Sequence, residues 1–216
     1  MLTPLVPLLE EAQAVGLVGP GPVESHLAHV RGFAEVVGDP GAGILLDLGS
    51  GAGLPGLALS LLWPSSRWVL LDGKTRSASF LAEAVRTLDL DPRVTVIEGR
   101  AETVAHDPEY RATISIVVAR SVAPPAAVAE YAAGFLSPGG TLVVSEPPDD
   151  PGVRWDELGL RELGMGAPTL TQSVDGFHFS VITQRSACPI RYPRRTGVPL
   201  RKPLFSQAPP RPPRFT

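Results

Sequence analysis

Apolar residues along this chain repeat with two different periods. Leu5, Leu8, Leu9, Ala12 and Val15 recur at helical spacing, and Gly16 ends that segment. Gly19-Pro-Gly-Pro22 then breaks the chain. Leu27, Val30, Phe33, Ala34 and Val37 mark one face of a second helix over about 23–37. From residue 44 short β-branched and leucine runs alternate with longer helical segments. The pattern predicts strands over 44–48, 67–72, 94–97, 114–119 and 141–144. Helices are predicted at about 54–63 and 74–89 and from Pro124-Pro125 onward, with a weak one near 154–161. Two last strands, near 169–174 and 177–184, meet at Asp175-Gly176, which reads as a type I′ hairpin turn. Alternating strands and helices imply an α/β fold, a parallel sheet covered on both faces. Here it is five parallel strands closed by an antiparallel hairpin. The organisation expected is an N-terminal helical extension over 1–40, a ligand-binding domain over 41–185 and a tail over 186–216.

The first strand of that domain runs into Asp47-Leu-Gly-Ser-Gly-Ala-Gly-Leu-Pro-Gly56. Glycines at 49, 51 and 53 let the backbone turn sharply and let a ligand lie against it. Pro55 suits a first helical position, and a helix start offers free N–H groups to an anion. Residues 51–56 match the G-x-G-x-x-G dinucleotide fingerprint. The frame differs, however, because a dinucleotide loop has its first glycine directly after the strand. Asp47 in that place resembles motif I of class I S-adenosylmethionine (SAM) methyltransferases. An acid at the strand tip can meet the amino group of SAM, and Gly49, Ser50, Gly51, Gly53 and Leu54 can line its methionine and ribose. The second strand ends in Asp72, which can accept both ribose hydroxyls of either cofactor. A dinucleotide and a Rossmann-like domain with no active site stay open at this point.

Other residues at predicted strand ends extend the site. Ala101 and Glu102 suit the adenine, although Glu102 equally suits a helix start, where the dipole favours an acid. Arg120 ends an apolar strand and points to substrate binding or to a buried ion pair. Lys74 and Arg76 read as solvated charges, and His26 and His29 as surface or core histidines that could stand near a substrate entrance. The single Cys188 excludes an internal disulfide and a cysteine metal cluster. No apolar run reaches membrane-spanning length, and the first residues lack a basic start and a cleavage site. A cytoplasmic protein with no membrane partner and no metal is expected.

Charge changes the picture at the C-terminus. The chain is −3 overall, yet residues 185–216 hold eight basic residues and no acid. The remainder is therefore strongly acidic. A basic tail on an acidic body is a footprint for nucleic acid or, equally, a solvated charge run.

Together these residues resemble the GidB/RsmG family, bacterial 16S ribosomal RNA guanine-N7 methyltransferases. The resemblance rests on the loop through Gly56 with Leu-Leu-Asp72, on Ala-Arg-Ser121, and on Arg191-Tyr-Pro-Arg-Arg-Thr-Gly-Val-Pro-Leu-Arg-Lys-Pro-Leu204. It implies the class I SAM-dependent methyltransferase fold, SAM as cofactor, and ribosomal RNA or the small ribosomal subunit as partner. Arg120 would orient the substrate, and Arg194, Arg195, Arg201 and Lys202 would hold RNA phosphates. Two departures stand out. The family's Asn-Leu-Thr/Ser and Asp-Ser signals are missing around His26, and Glu146-Pro-Pro replaces Leu-Lys-Gly after the fifth strand. A small-molecule methyltransferase, a dehydrogenase and a non-catalytic SAM-binding module are the competing readings.

Overall fold

The computed structural model describes residues 2–148 and 154–205. The Pro/Arg run from Gln207, with Arg211 and Arg214, lies outside the described residues. Helices α1 (Val6–Ala14) and α2 (Val23–Val37) precede β1 (Ile44–Leu48), α3 (Gly56–Leu62), β2 (Arg67–Asp72), α4 (Thr75–Thr87) and β3 (Val94–Glu98). There follow α5 (Ala101–Val104), β4 (Ile114–Ala119), α6 (Pro125–Phe135), β5 (Leu136–Glu146), α7 (Glu157–Glu162), β6 (Thr169–Gln172), β7 (His178–Thr183) and α8 (Val198–Arg201). One seven-stranded sheet has the order β3-β2-β1-β4-β5-β7-β6. The first five strands pair in parallel, and β7 pairs antiparallel with both β5 and β6.

Strand alternation divides the core between the two faces. Leu46, Leu48, Val69, Leu71, Val117 and Leu142 pack with α6 on one side. Leu45, Trp68, Leu70, Val118 and Val143 pack with α1 to α4 on the other. The N-terminal helices thus add their apolar stripes to the same core as the sheet. In α2 the buried residues include Leu27, Val30 and Phe33, as the spacing predicts.

Three local expectations need correction. Helix α3 begins at Gly56, with Pro55 as its N-cap rather than its first residue. Its first N–H is held by the Asp47 carboxylate at the strand tip. The β6–β7 turn is not type I′, because Gly176 has positive φ and Asp175 does not. Gly176 N–H donates to Ser173 O and Ser173 N–H to Phe177 O, which makes a three-residue loop with a left-handed glycine. Finally, the fifth strand begins at Leu136, ahead of the 141–144 predicted. Leu136 already pairs with Ile114, and the register shifts before Thr141 pairs with Ile116.

The C-terminal segment up to Phe205 is packed, not solvated. Helix α6 is alanine-rich and buried along its whole length, so something must cover its outer side. Residues 188–194 supply that cover. The Arg111 guanidinium donates to the carbonyls of Cys188, Pro189 and Tyr192 at 3.0–3.3 Å. Tyr192 Oη donates to Glu162 at 3.0 Å. Glu130 of α6 has a fully buried side chain and takes both the Arg194 backbone N–H and its guanidinium, the closest contact being 2.6 Å. Arg194 is therefore spent on Glu130, and the phosphate-binding role expected for it does not fit its geometry. Breaking a buried pair leaves a charge unpaired. Arg194→Ala should thus lower stability by about 3 kcal/mol, the low end for such pairs, because its side chain is 27% exposed. Arg195→Ala, at an exposed neighbour, should stay within about 0.5 kcal/mol. Urea unfolding of both variants checks this, and equal effects would contradict the assignment.

Candidate active site

A cavity of about 740 Å³ opens at the carboxyl ends of β1, β2, β3 and β4. This is where β1 lies between β2 and β4, the switch point at which open α/β sheets bind ligands. Gly49, Ser50, Gly51 and Leu54 border it from the loop after β1. Asp72, Ala101 and Glu102 border it from the ends of β2 and β3, and Arg120 from the end of β4. Asp47 and Gly53 do not reach it.

The three loop glycines all have positive φ, at 70°, 56° and 88° for Gly49, Gly51 and Gly53, a region costly for other residues. A Cβ on Gly49 would lie 2.9 Å from Val122, and one on Gly53 would lie 2.6 Å from Leu57 Cβ. A Cβ on Gly51 would meet nothing within 4 Å. Gly51 therefore presents bare backbone to open space, whereas Gly53 allows the loop to close against α3. The cofactor contact expected for Gly53 is replaced by this packing.

Two carboxylates hold the loop from behind. Asp47 Oδ2 accepts Gly56 N–H at 2.9 Å, and Ser50 Oγ donates to Asp47 O at 2.9 Å. Asp47 is buried below the loop, so its first role is bracing. Its Oδ1 has no partner among the described residues. Asp72 accepts Gly51 N–H and Lys74 N–H, both at 2.8 Å, one on each oxygen. A carboxylate has about four lone-pair sites, so each Asp72 oxygen can still accept a ribose hydroxyl. Glu102 lies in the first turn of α5, and its Oε1 accepts Gly197 N–H at 2.8 Å from the C-terminal segment. Its carboxylate ties that segment to the cavity rim instead of being offered whole to adenine. Nearby burial pushes the Tyr131 phenol up to about 12.

Arg120 is half-buried and makes no hydrogen bond or ion pair among the described residues. Burial lowers its pKa, and Asp47 partly restores it. It faces the cavity as an uncommitted guanidinium. Arg195, Arg201 and Lys202 are exposed, on the segment whose Leu200 lines the cavity.

Further wall residues come from the N-terminal part of the chain, where His26 and His29 read as surface or core histidines able to stand near a substrate entrance. The Gly16–Gly19 loop, His26 and His29 line the cavity from the N-terminal helices. Gly19-Pro-Gly-Pro22 and the paired histidines were the only signals there. Lys74 and Arg100 also line it, whereas Arg76 donates to Val15 O and ties α4 to the end of α1.

Residues 9–146 match the GidB family, described as rRNA small subunit methyltransferase G. The chain belongs to this family. It is 39% identical over 169 residues to ribosomal RNA small subunit methyltransferase G of Deinococcus radiodurans, covering 76% of this chain and 66% of the relative. It is 33% identical over 175 residues to the protein of that name from Prochlorococcus marinus, covering 76% and 67%. The chain thus spans about two thirds of the length of these relatives. In fold it is similar to a SAM dependent methyltransferase from Aquifex aeolicus (TM-score 0.53, 18% identity, 70% of this chain and 86% of that one). PigF with SAH gives a TM-score of 0.56 at 15% identity, covering 73% and 54%. As a member of this family the chain is a methyltransferase with SAM as its cofactor, its fold is that of the class I methyltransferases, and the dinucleotide reading falls. The site fits SAM on its own terms, through bare backbone at Gly51 and open lone pairs on Asp72, whereas Asp47 lies behind the loop and does not reach the cavity.

Burial raises the Asp47 carboxyl from its ordinary 3.8 to about 7, while Gly56 N–H, Ser50 and Arg120 pull it back. The folded GidB chain therefore holds a proton that the unfolded chain releases. The stability tied to this proton is full below about pH 4 and is lost as pH rises through about 7. Asp47→Asn should flatten the loss of stability over that window in urea unfolding at stepped pH. Parallel declines in both proteins would show Asp47 ionised throughout.

Proposed function

We propose that this protein transfers the methyl group of SAM to N7 of a guanine in 16S ribosomal RNA, on the small ribosomal subunit in the cytoplasm. The observation that carries this reading is a cavity with an uncommitted cation, whose acids are held by backbone N–H groups or lie beneath the loop. Asp72 and Glu102 are both bonded to backbone N–H groups. Asp47, raised to about 7, is sealed under the loop. Burial and Arg120 hold His29 down at about 4, too acidic for a strong base. Such a site suits a nucleophile that already carries a free lone pair, as guanine N7 does.

When bound, SAM supplies an electrophilic methyl on a sulfonium. Asp72 would hold the ribose hydroxyls, and the Gly51 backbone would lie along the methionine. Arg120 would bind the RNA beside the target base and keep that base in line for transfer. Arg195, Arg201 and Lys202 would meet phosphates outside the cavity, on a segment anchored by Glu130 and Glu102. The loop after α1, helix α2 and the C-terminal segment act as walls of the site.

Mass spectrometry of 16S ribosomal RNA nucleosides tests this reading. Purified protein with SAM should add 7-methylguanosine to RNA from a deletion strain, with a single-turnover rate nearly flat across neutral pH. Arg120→Ala should lower that rate roughly ten- to a hundredfold, as loss of a charged hydrogen bond implies. Methyl appearing on a ribose oxygen, or a rate rising tenfold per pH unit, would defeat the N7 assignment.

A further inference from the structure

A second cavity, of about 340 Å³, lies beside the first, beyond the ends of β4 and β5. Its walls include Pro125 and Val128 of α6 and Val144 and Ser145 of β5. The two cavities share His29, Ser121, Val122 and Ala123. Any group moving between them passes these residues. Ser121 has φ of 54° there, a conformation unusual outside glycine and concentrated at functional sites.

His29 is an uncommitted polar side chain of this junction. Its ring is wedged among Phe33, Phe177 and Phe179, with centroids 5.5, 4.7 and 5.6 Å away. It makes no hydrogen bond among the described residues. By contrast, Glu146 is already satisfied. Its side chain is fully buried, Trp155 Nε1 donates to it at 2.6 Å, and Arg154 pairs with it at 3.2 Å. The acid at the end of β5 is thus neutralised from within.

We propose that the second cavity receives the base to be methylated and that His29, at the junction, hydrogen-bonds its edge. The inference rests on the guanine reading above. A base must leave its stack to reach such a cavity. The guanine oxo group sits next to N7 and accepts a hydrogen bond, which a neutral imidazole N–H can donate. Desolvation and the charges of Arg120 and His26 keep this imidazole neutral. That suits a transfer in which positive charge moves onto the base, since a cation there would oppose it.

The test measures SAM affinity by calorimetry and kcat and KM on 16S ribosomal RNA for three variants. His29→Phe keeps an aromatic ring among the three phenylalanines and removes the nitrogens. It should lower kcat/KM for RNA about tenfold, and His29→Gln should recover most of that loss. Ser145→Phe should fill the second cavity and abolish transfer. SAM affinity should stay near wild type in all three. Full activity in His29→Phe or in Ser145→Phe would overturn the proposal. So would a parallel fall in SAM affinity, which would assign the histidine to the cofactor. Failure of the guanine reading shows separately, as absence of 7-methylguanosine from the wild-type product.

Discussion

The Asp47 carboxylate, one residue from the end of β1, accepts the first N–H of the helix that follows, at 2.9 Å. Everything at the cofactor end of the site depends on that bond. It fixes where α3 starts, and so how many residues the loop must turn within. Gly56 has to be glycine for the carboxylate to approach, because a Cβ there would sit 2.3 Å from Asp47 Cβ. With α3 seated on Asp47, the loop closes only through left-handed residues at 49, 51 and 53. Asp72 pins the middle of that loop from the neighbouring strand. The two acids expected to bind the cofactor first build the surface it lies on.

A second set of buried acids does the same for the far rim. Glu130 and Glu102 sit on the sheet side of the C-terminal segment and bond to Arg194 and Gly197. Acidic anchors inside thus hold a basic segment outside. On the proposed function, the acidic body would repel RNA by itself, and fixing these cations beside the cavity would give the attraction a defined place. Glu146 follows the same rule, since its buried charge is met by Arg154 and Trp155.

The strands, the helices and the glycine loop were readable from the chain because they are encoded locally, in apolar periods and in glycine spacing. The parallel sheet with its closing hairpin, the cofactor and the family follow from those. What could not be read depended on partners far away in sequence. Arg194 and Arg195 are adjacent and chemically identical, yet one faces Glu130 and the other faces solvent. Gly51 and Gly53 share a motif, yet one borders open space and the other Leu57. His29 looks like any histidine on an amphipathic helix until β7 brings Phe179 and β4 brings Arg120 against it. The hairpin turn failed for a smaller reason. Asp-Gly fits either a two-residue or a three-residue loop, and pairing outside the turn selects between them.

Asp47 and Asp72 build the cofactor loop before any ligand arrives. Amide hydrogen exchange of the ligand-free protein tests it most directly. The Gly51 and Gly56 amides, each held by a carboxylate at 2.8–2.9 Å, should exchange as slowly as amides of β1. Rapid exchange at both, slowed only when SAM is added, would show a loop ordered by its ligand and would contradict the account.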